Sequence, residues 1–338
     1  MIKGALRLSI RLFIFLSLLT ILTVSGGFLW FNHIWQQPLA QSEQRLILIA
    51  KGTNHNQLAK QLVAEGYLPA RWYYGAFRFG FAIIEQDSFA PKAGEFEVPA
   101  GATFADLFII IDEGIPYQHR FSLIEGNPAR EVVVNLNKDK RFSGAILRIP
   151  EEGTLAPDTY FFVRDTDRAD MIARMQARQE IILAEEWANR AQGLSYQSAD
   201  EALIMASIIE KETGLTQEQP LVASVFLNRI EADMSFQSDA SVLYGIIQEE
   251  GKPRKILRSD LEESGPWNTY RFAGYPKTAI ANPGRAAIHA ALNPMPSAYF
   301  YFVADGQGGH KFAKTYPEHQ KNVAAYRRIL KRSENERQ

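Results

Sequence analysis

Two carboxylates close a long apolar run, Leu203-Ile-Met-Ala-Ser-Ile-Ile-Glu-Lys-Glu-Thr-Gly214. On a helix, Glu212 lies one turn beyond Ile208 and Ile209 and two turns beyond Met205, so it extends the apolar stripe. A carboxyl held against aliphatic side chains has its ionised form disfavoured, which raises its pKa and suits it to donate a proton near neutral pH. Glu210 points the other way, over Ala206 and Ser207. The plain alternative is that both acids only solubilise a helix end, and spacing alone does not choose between the two. Other chemistry has no foothold. The sequence holds no Gly-x-x-x-x-Gly-Lys loop, no Gly-x-Ser-x-Gly elbow and no His-Glu-x-x-His helix. The six histidines are scattered and cysteine is absent, so neither a metal nor any other cofactor is expected, and His310 reads as a groove or turn residue.

The elements that must position this pair are legible on both sides of it. Ser198 followed by Glu201 has the form of a capping box and starts the helix near Asp200. Gly214 is the expected left-handed C-cap. Leu203, Ile204, Met205, Ala206, Ile208 and Ile209 leave almost no polar face, which predicts a helix wrapped by other structure. A long helix over 170–189 precedes it, and another follows over 220–230, with Val222, Val225, Phe226 and Ile230 inward and Asn228 and Arg229 closing it. Phe236-Gln-Ser-Asp239 leads into Val242-Leu-Tyr-Gly245. The charged stretch 251–264 reads as an exposed excursion. The turn-rich aromatic segments 266–270 and 274–284 could line a groove for a sugar polymer. A short helix over 286–292, a strand over 298–303, a Gly-rich turn and a return strand over 310–312 lead to a C-terminal helix over 317–331 with a basic tail.

Upstream, a unit of strand, Gly turn and amphipathic helix recurs three times. Gly52 precedes Leu58, Gly101 precedes Leu107 and Gly126 precedes Val132, each by six residues. The first two units, about Arg45 to Gly114, predict one β-α-α-β-type module that either binds glycan or spaces the rest of the chain from its anchor. The stretch 147–160 reads as strand and tight loop.

The chain has 338 residues, 46% of them hydrophobic, enough for a large core and two folded units. Its net charge of −1 supplies no basic field for nucleic acid. No charge interrupts Leu12 to Phe31, about the length that spans a bilayer. Lys3, Arg7 and Arg11 precede that stretch, and Trp30 and Trp35 stand at its far end. The positive-inside rule then keeps residues 1–11 in the cytoplasm and puts everything after the 12–34 anchor outside. The apolar stretch is long for a signal peptide, so an uncleaved anchor is expected. A carboxyl of raised pKa, polar-aromatic loops and an extracytoplasmic address together suit carbohydrate chemistry, in which an acid protonates a glycosidic oxygen.

Several ordered stretches resemble the membrane-anchored endolytic murein transglycosylases, the MltG or YceG-like family. They are Glu-Gly-x-Leu-x-Pro-Asp-Thr-Tyr at 152–160, Ala-Ser-Ile-Ile-Glu-Lys-Glu-Thr at 206–213 and Val-Ala-Ser-Val-Phe-Leu-Asn-Arg at 222–229. Gln-Ser-Asp at 237–239, Asn-Thr-Tyr at 268–270 and Tyr-Phe-Val-Ala-Asp-Gly-x-Gly-Gly-His at 301–310 complete the set. The resemblance implies an α+β fold: a transmembrane helix, a LysM-like β-α-α-β-type module over 45–115, and a mixed catalytic domain over 116–332 whose central buried helix carries the catalytic Glu. It implies cleavage of the MurNAc–GlcNAc β-1,4 bond within nascent glycan strands, without water, leaving 1,6-anhydro-MurNAc ends and terminating strand growth. Glu212 is then the acid, since Glu212-Thr213 is similar to the Glu-Ser pair that ends the catalytic helix in other lytic transglycosylases, with Glu210 the second choice. Gln237, Ser238, Asp239, Asn268 and Tyr270 are expected along the sugar groove. Ala156 stands where the family often carries an aromatic, which would remove a subsite contact. Glycan strands and the cytoplasmic membrane are the implied partners, with peptidoglycan synthases and division proteins beside them. The rival readings are a glycan-binding scaffold without catalysis and a hydrolytic muramidase with Asp239 or Asp158 as second carboxylate.

Overall fold

The computed structural model describes residues 2–39, 41–68 and 91–335. It is a mixed α+β fold in two compact units, Met1–His119 with Phe162–Arg164, and Arg120–Phe161 with Asp165–Gln338.

The first unit begins with α1 (Ile2–Trp35), which runs through Lys3, Arg7 and Arg11 and is therefore longer than the expected anchor. Its stretch Ile10–Trp35 is long and apolar enough to cross a membrane. At 1.5 Å per residue, those 26 residues reach about 39 Å, against a hydrocarbon core of about 30 Å. From Ile10 to Trp30 the helix exposes its apolar side chains, with Phe13 71% and Leu22 74% exposed, a surface that water disfavours. Its last turn is packed, where Ile34 is buried and the Trp35 ring lies 5.7 Å from that of Phe108.

A small module follows. β1 (Arg45–Ile49) pairs antiparallel with β2 (Gly94–Val98), Ile47 opposite Phe96. Alternation sends Ile47, Ile49, Phe96 and Val98 to the buried face. α2 (His55–Ala64) and α3 (Phe104–Asp112) each start in a capping box, Asn54 with Gln57 and Thr103 with Asp106. Gly52 and Gly101 take the left-handed turn between strand and helix, at φ +82° and +74°. Leu58, Leu62, Leu107 and Ile111 are fully buried at the spacing the repeat predicts. The second of the two helices expected between these strands would fall within 69–90, outside the described residues. Glu95, buried on β2, is held by His119 and by Arg164 at 3.3 Å.

The third strand-Gly-helix copy is β3 (His119–Leu123), Gly126 and α4 (Ala129–Lys138), with Val132 and Leu136 inward. β3 pairs with β4 (Asp158–Phe162). The strand expected from 147 starts only at Asp158, because Pro150 and Pro157 lack the N–H a ladder needs.

The second unit is mostly helical: α5 (Arg168–Ala188), α6 (Ala199–Glu212), α7 (Gln219–Glu231), α8 (Asp239–Glu250), α9 (Arg258–Glu262) and α10 (Arg285–Leu292). The hairpin of β5 (Tyr301–Ala304) and β6 (His310–Ala313) and then α11 (Tyr316–Asn335) close it. α6 is the hub, packed against α5, α7, α8 and α10. Met205, Ala206, Ile208 and Ile209 are fully buried, each large side chain contributing roughly 1.5–3 kcal/mol by leaving water. Ser207 is equally buried, and its hydroxyl donates to Ile204 O (2.7 Å) and accepts from Ile280 N (3.0 Å).

The ends of α6 differ in detail from the sequence reading. Ser198 caps it through Glu201 N (3.3 Å), but the Glu201 carboxylate accepts from Gln197 N rather than from the cap residue itself. Gly214 is not a left-handed cap. The helix stops because Thr213 turns extended (φ −143°, ψ 131°) and its hydroxyl accepts from Leu215 N at 3.1 Å. The charged stretch 251–264 is not a plain excursion either: it contains α9, and Asp260 is buried there against Arg254 at 2.6 Å and Leu257 N at 2.6 Å.

Candidate active site

Glu212 is the last residue of α6, where the apolar stripe ends and its side chain leaves the core half-buried. One carboxylate oxygen accepts from Ser238 Oγ at 2.5 Å. Burial pushes this carboxyl above the usual carboxylate range. The Ser238 hydroxyl pulls the other way, Asp239 adds to the rise, and His310 and Arg229 oppose it. The balance shifts this carboxyl toward its protonated form while Ser238 still supports the anion.

Four segments from distant parts of the chain build this environment. The first is the start of α8. Gln237 adopts a left-handed backbone (φ +54°) and turns the chain so that Ser238 becomes the N-cap. The turn is held on both sides: Gln237 N donates to Thr269 O and Ser238 N to Thr269 Oγ1, each at 3.0 Å. Ser241 Oγ donates to Ser238 O at 2.8 Å. The Ser238 hydroxyl makes no capping bond to α8, so it is free to serve Glu212.

The second is 266–270. Tyr270 OH donates to Asp239 Oδ1 at 2.7 Å. Asn268 is buried, with its amide donating to Asp260 O and Glu263 O (2.8 and 2.6 Å) while its oxygen accepts from Tyr270 N (3.1 Å). It therefore fixes the loop that presents Tyr270. Trp267, Thr269, Tyr275 and Asn282, which the turn-rich segments suggested as groove lining, pack inward instead: the Trp267 ring lies 5.5 Å from Tyr244, and Thr269 and Asn282 are fully buried.

The third is Arg229 on α7. Its Nε donates to Phe300 O at 2.7 Å, its Nη1 donates to Phe236 O, and the guanidinium lies 5.5 Å from the Tyr301 ring centroid. The fourth is Glu218, which joins the end of α6 to β6. It accepts from Thr213 Oγ1 at 3.4 Å, from His310 N at 3.0 Å and pairs with His310 Nδ1 at 2.7 Å.

Glu210, two residues earlier, has a different occupation. It accepts from Gly284 N at 2.9 Å, the N-cap residue of α10. Burial raises its pKa too, and Glu125 adds to the rise. Next to it on the chain, Lys211 Nζ donates to Gly126 O at 3.3 Å. Helical phase thus separates the two acids as the sequence indicated, Glu212 toward Ser238 and Glu210 toward the α10 cap.

A third carboxyl was missed by sequence reasoning. Glu152 accepts from Ala129 N (2.7 Å) and Tyr244 OH (3.3 Å), and burial pushes its pKa up to about 7. Only its position inside the Glu-Gly-x-Leu-x-Pro-Asp-Thr-Tyr stretch hinted at it. Asp158 is exposed on β4. Ala156 is fully buried in the core, so its small size is a matter of packing there and not a missing groove contact.

Gln237 and Tyr270 line a cleft of about 1040 Å³, with Tyr316 and His319 of α11 opposite. A smaller cleft, about 570 Å³ and lined by Gln179 and Leu203 among others, contains none of the residues around Glu212.

An endolytic murein transglycosylase of Bacillus subtilis is 36% identical over 182 residues, covering 53% of this chain and 49% of that protein. One from Streptococcus pneumoniae D39 is 31% identical over 188 residues, 54% of this chain and 33% of its own length. The chain thus spans half or less of the curated relatives it matches. The crystal structure of a yceG-like protein from Listeria monocytogenes is 26% identical with a TM-score of 0.50, covering 83% of this chain and 99% of that one. The description of the YceG-like family matches residues 47–325, which takes in the small module, the central helix and every segment around Glu212; the chain belongs to the YceG-like family.

Proposed function

We propose that this chain is an endolytic lytic transglycosylase of peptidoglycan, with Glu212 as its single acid and base. The observation that carries the reading is a carboxyl of raised pKa at the end of a buried helix, hydrogen-bonded to Ser238 beside an open cleft. The protonated Glu212 gives its proton to the glycosidic oxygen as the bond from MurNAc C1 breaks, so GlcNAc leaves as an alcohol. The resulting carboxylate takes the proton of the MurNAc C6 hydroxyl as that oxygen bonds to C1. The proton count closes on one residue, no water is consumed, and the product ends in 1,6-anhydro-MurNAc. Ser238 steadies the carboxylate between the two steps. Tyr270 and Asp239 form a hydrogen-bonded pair beside it, suited to orient sugar hydroxyls, while Gln237 lines the same wall and Asn268 supports Tyr270. Cleavage within nascent strands would terminate their growth.

The rest of the chain fits the same reading. The β1–α2 and β2–α3 pairs have the strand-helix pattern of a LysM-like glycan-binding module over 45–115. α1 would anchor the protein in the cytoplasmic membrane by one pass, with residues 116–332 outside and close to the synthases and division proteins that handle new strands. The fate of the C6 proton distinguishes this reading from hydrolysis, in which Asp239, next to Ser238, would direct a water.

The test is strand digestion with product masses. Glu212→Gln should lose cleavage by ~10²–10⁴-fold and keep its melting temperature, because the amide preserves shape and removes a desolvated acid. Anhydro ends from the wild type support the lyase. Products heavier by one water would make it a muramidase, and intact strands would leave a binding scaffold.

A further inference from the structure

The cleft beside Glu212 has two chemically different walls. One is the neutral and aromatic side of Gln237 and Tyr270. The other is α11, which brings Arg327, Arg328 and Lys331 to the same cleft. Their spacing is i, i+1 and i+4, so Lys331 lies one turn along from both arginines and the three form one cationic stripe. Among the described residues none of the three has a carboxylate within 4.0 Å; every ion pair of the second unit lies elsewhere. The one bond assigned to them is Arg328 Nε to Ala324 O at 3.2 Å, within the helix. His319, in the same wall, buries an Nδ1 that has no hydrogen-bond partner. At about 1040 Å³ the cleft also sits at the upper end of the range for small-ligand sites, leaving room beyond the sugars at the scissile bond.

We infer that the α11 wall is a carboxylate subsite that reads the peptide carried by the strand. Resting on the function proposed above, Arg327, Arg328 and Lys331 bind the acidic groups of the peptide linked to the lactyl ether of the muramyl sugar next to the cut. With its lactyl carboxyls held in the amides to the peptides a glycan chain is neutral, so three unpaired cations have nothing to neutralise on the sugars, whereas the peptide supplies free carboxylates. Arginine suits that role through its planar fork, which can hold a carboxylate by two parallel bonds. The subsite would bias cleavage toward strands that still carry peptides and away from stripped ones.

The experiment uses the full chain, wild type and R327Q/R328Q/K331Q, on peptide-bearing strands and on the same strands stripped by an amidase, with the freed lactyl carboxyls capped as methylamides so that no carboxylate remains. The wild type should show a KM about tenfold lower on the peptide-bearing strands, and the triple variant should reduce that ratio to about one, with kcat on each strand moving less than KM. R327K/R328K should restore part of the preference, and equal melting temperatures exclude a folding defect. Equal KM values for the wild type on both strands, or a triple variant that keeps the preference, would overturn the subsite. So would selective loss of binding to anionic phospholipid vesicles with strand preference intact, which would make the stripe a membrane contact. Calorimetric binding of a muramyl-peptide saccharide to the Glu212→Gln chain, with and without the triple change, reads the subsite without turnover. Failure of the lyase reading alone would leave that binding difference in place.

Discussion

Replacing Ser238 by Ala isolates what one hydroxyl does to the acid. Its Oγ donates to Glu212 and not to the first turn of α8, so the substitution removes a support of the carboxylate without uncapping a helix. The backbone bond of Ser238 N to Thr269 Oγ1 survives, which keeps the turn in place. A hydrogen bond to a charged group contributes about 1.5–3 kcal/mol against about 0.5–1.5 for a neutral pair. The ionised form of Glu212 therefore loses roughly 1–1.5 kcal/mol more than the protonated form. At 1.36 kcal/mol per pH unit that moves the pKa up by about one unit. On the proposed mechanism loss of the protonated acid sets the basic limb of kcat/KM, so Ser238→Ala should carry that limb about one unit to higher pH. The maximal rate should fall as well, because the carboxylate formed after bond cleavage is less supported. A pH profile of strand cleavage, paired with carboxyl carbon NMR titration of Glu212, reads both the kinetic and the equilibrium shift. A limb and a titration that stay where they were, or move to lower pH, would refute the assignment of Ser238 as the partner that tunes Glu212.

Glu152→Gln should change how stability depends on pH. The folded-state pKa of Glu152 is raised to about 7 from 4.5, so its proton stabilises the fold fully below about pH 4.5 and that contribution is lost as pH rises through 7. The upper bound is on the order of 3 kcal/mol, so the variant should melt above wild type at pH 8 and lose that advantage at pH 5; parallel curves would show that burial does not govern this carboxyl. Gly153→Ala should cost roughly 1–3 kcal/mol, because φ is +85° and the added Cβ would meet Ala279 Cβ at 2.8 Å; thermal melts that overlay wild type would contradict it. Glu210→Gln keeps an oxygen for Gly284 N–H and should retain most cleavage, while a loss as deep as that of Glu212→Gln would move the acid to Glu210.

What the sequence disclosed follows the range of the interactions concerned. The apolar run of α6, the phase that separates Glu212 from Glu210 and the Gly turns at 52, 101 and 126 depend on neighbours within a few residues, and all are in the structure. The end of α6 was misread because Gly214 has the usual composition of a cap, whereas Thr213 ends the helix by turning extended and using its own hydroxyl. Glu218 and Arg229 gave no sign of their roles. Their partners, His310 and Phe300, lie about ninety and seventy residues away, and no local spacing encodes such contacts. Asn268 was legible as a polar residue in an aromatic turn, but its burial against Asp260 O and Glu263 O depends on the packing of α9. The fully buried Ala156 shows the same limit, since the direction in which a loop residue faces is set by what packs over it.

The partners of Glu212 have a directional consequence. Ser238, Tyr270 with Asp239, the Phe300 carbonyl that holds Arg229, and His310 all lie after it in the chain. A polypeptide leaves the ribosome from its N-terminus at roughly 5–20 residues per second, so the helix with its acid emerges well before any of them. Glu212 lacks Ser238 until α8 has begun, Arg229 lacks its carbonyl seat until Phe300 has emerged, and Glu218 lacks His310 until β6 has followed. The full set of partners is thus present only when about nine tenths of the chain has been made. On the function proposed above, the cutting site would therefore stay incomplete until translation is nearly finished.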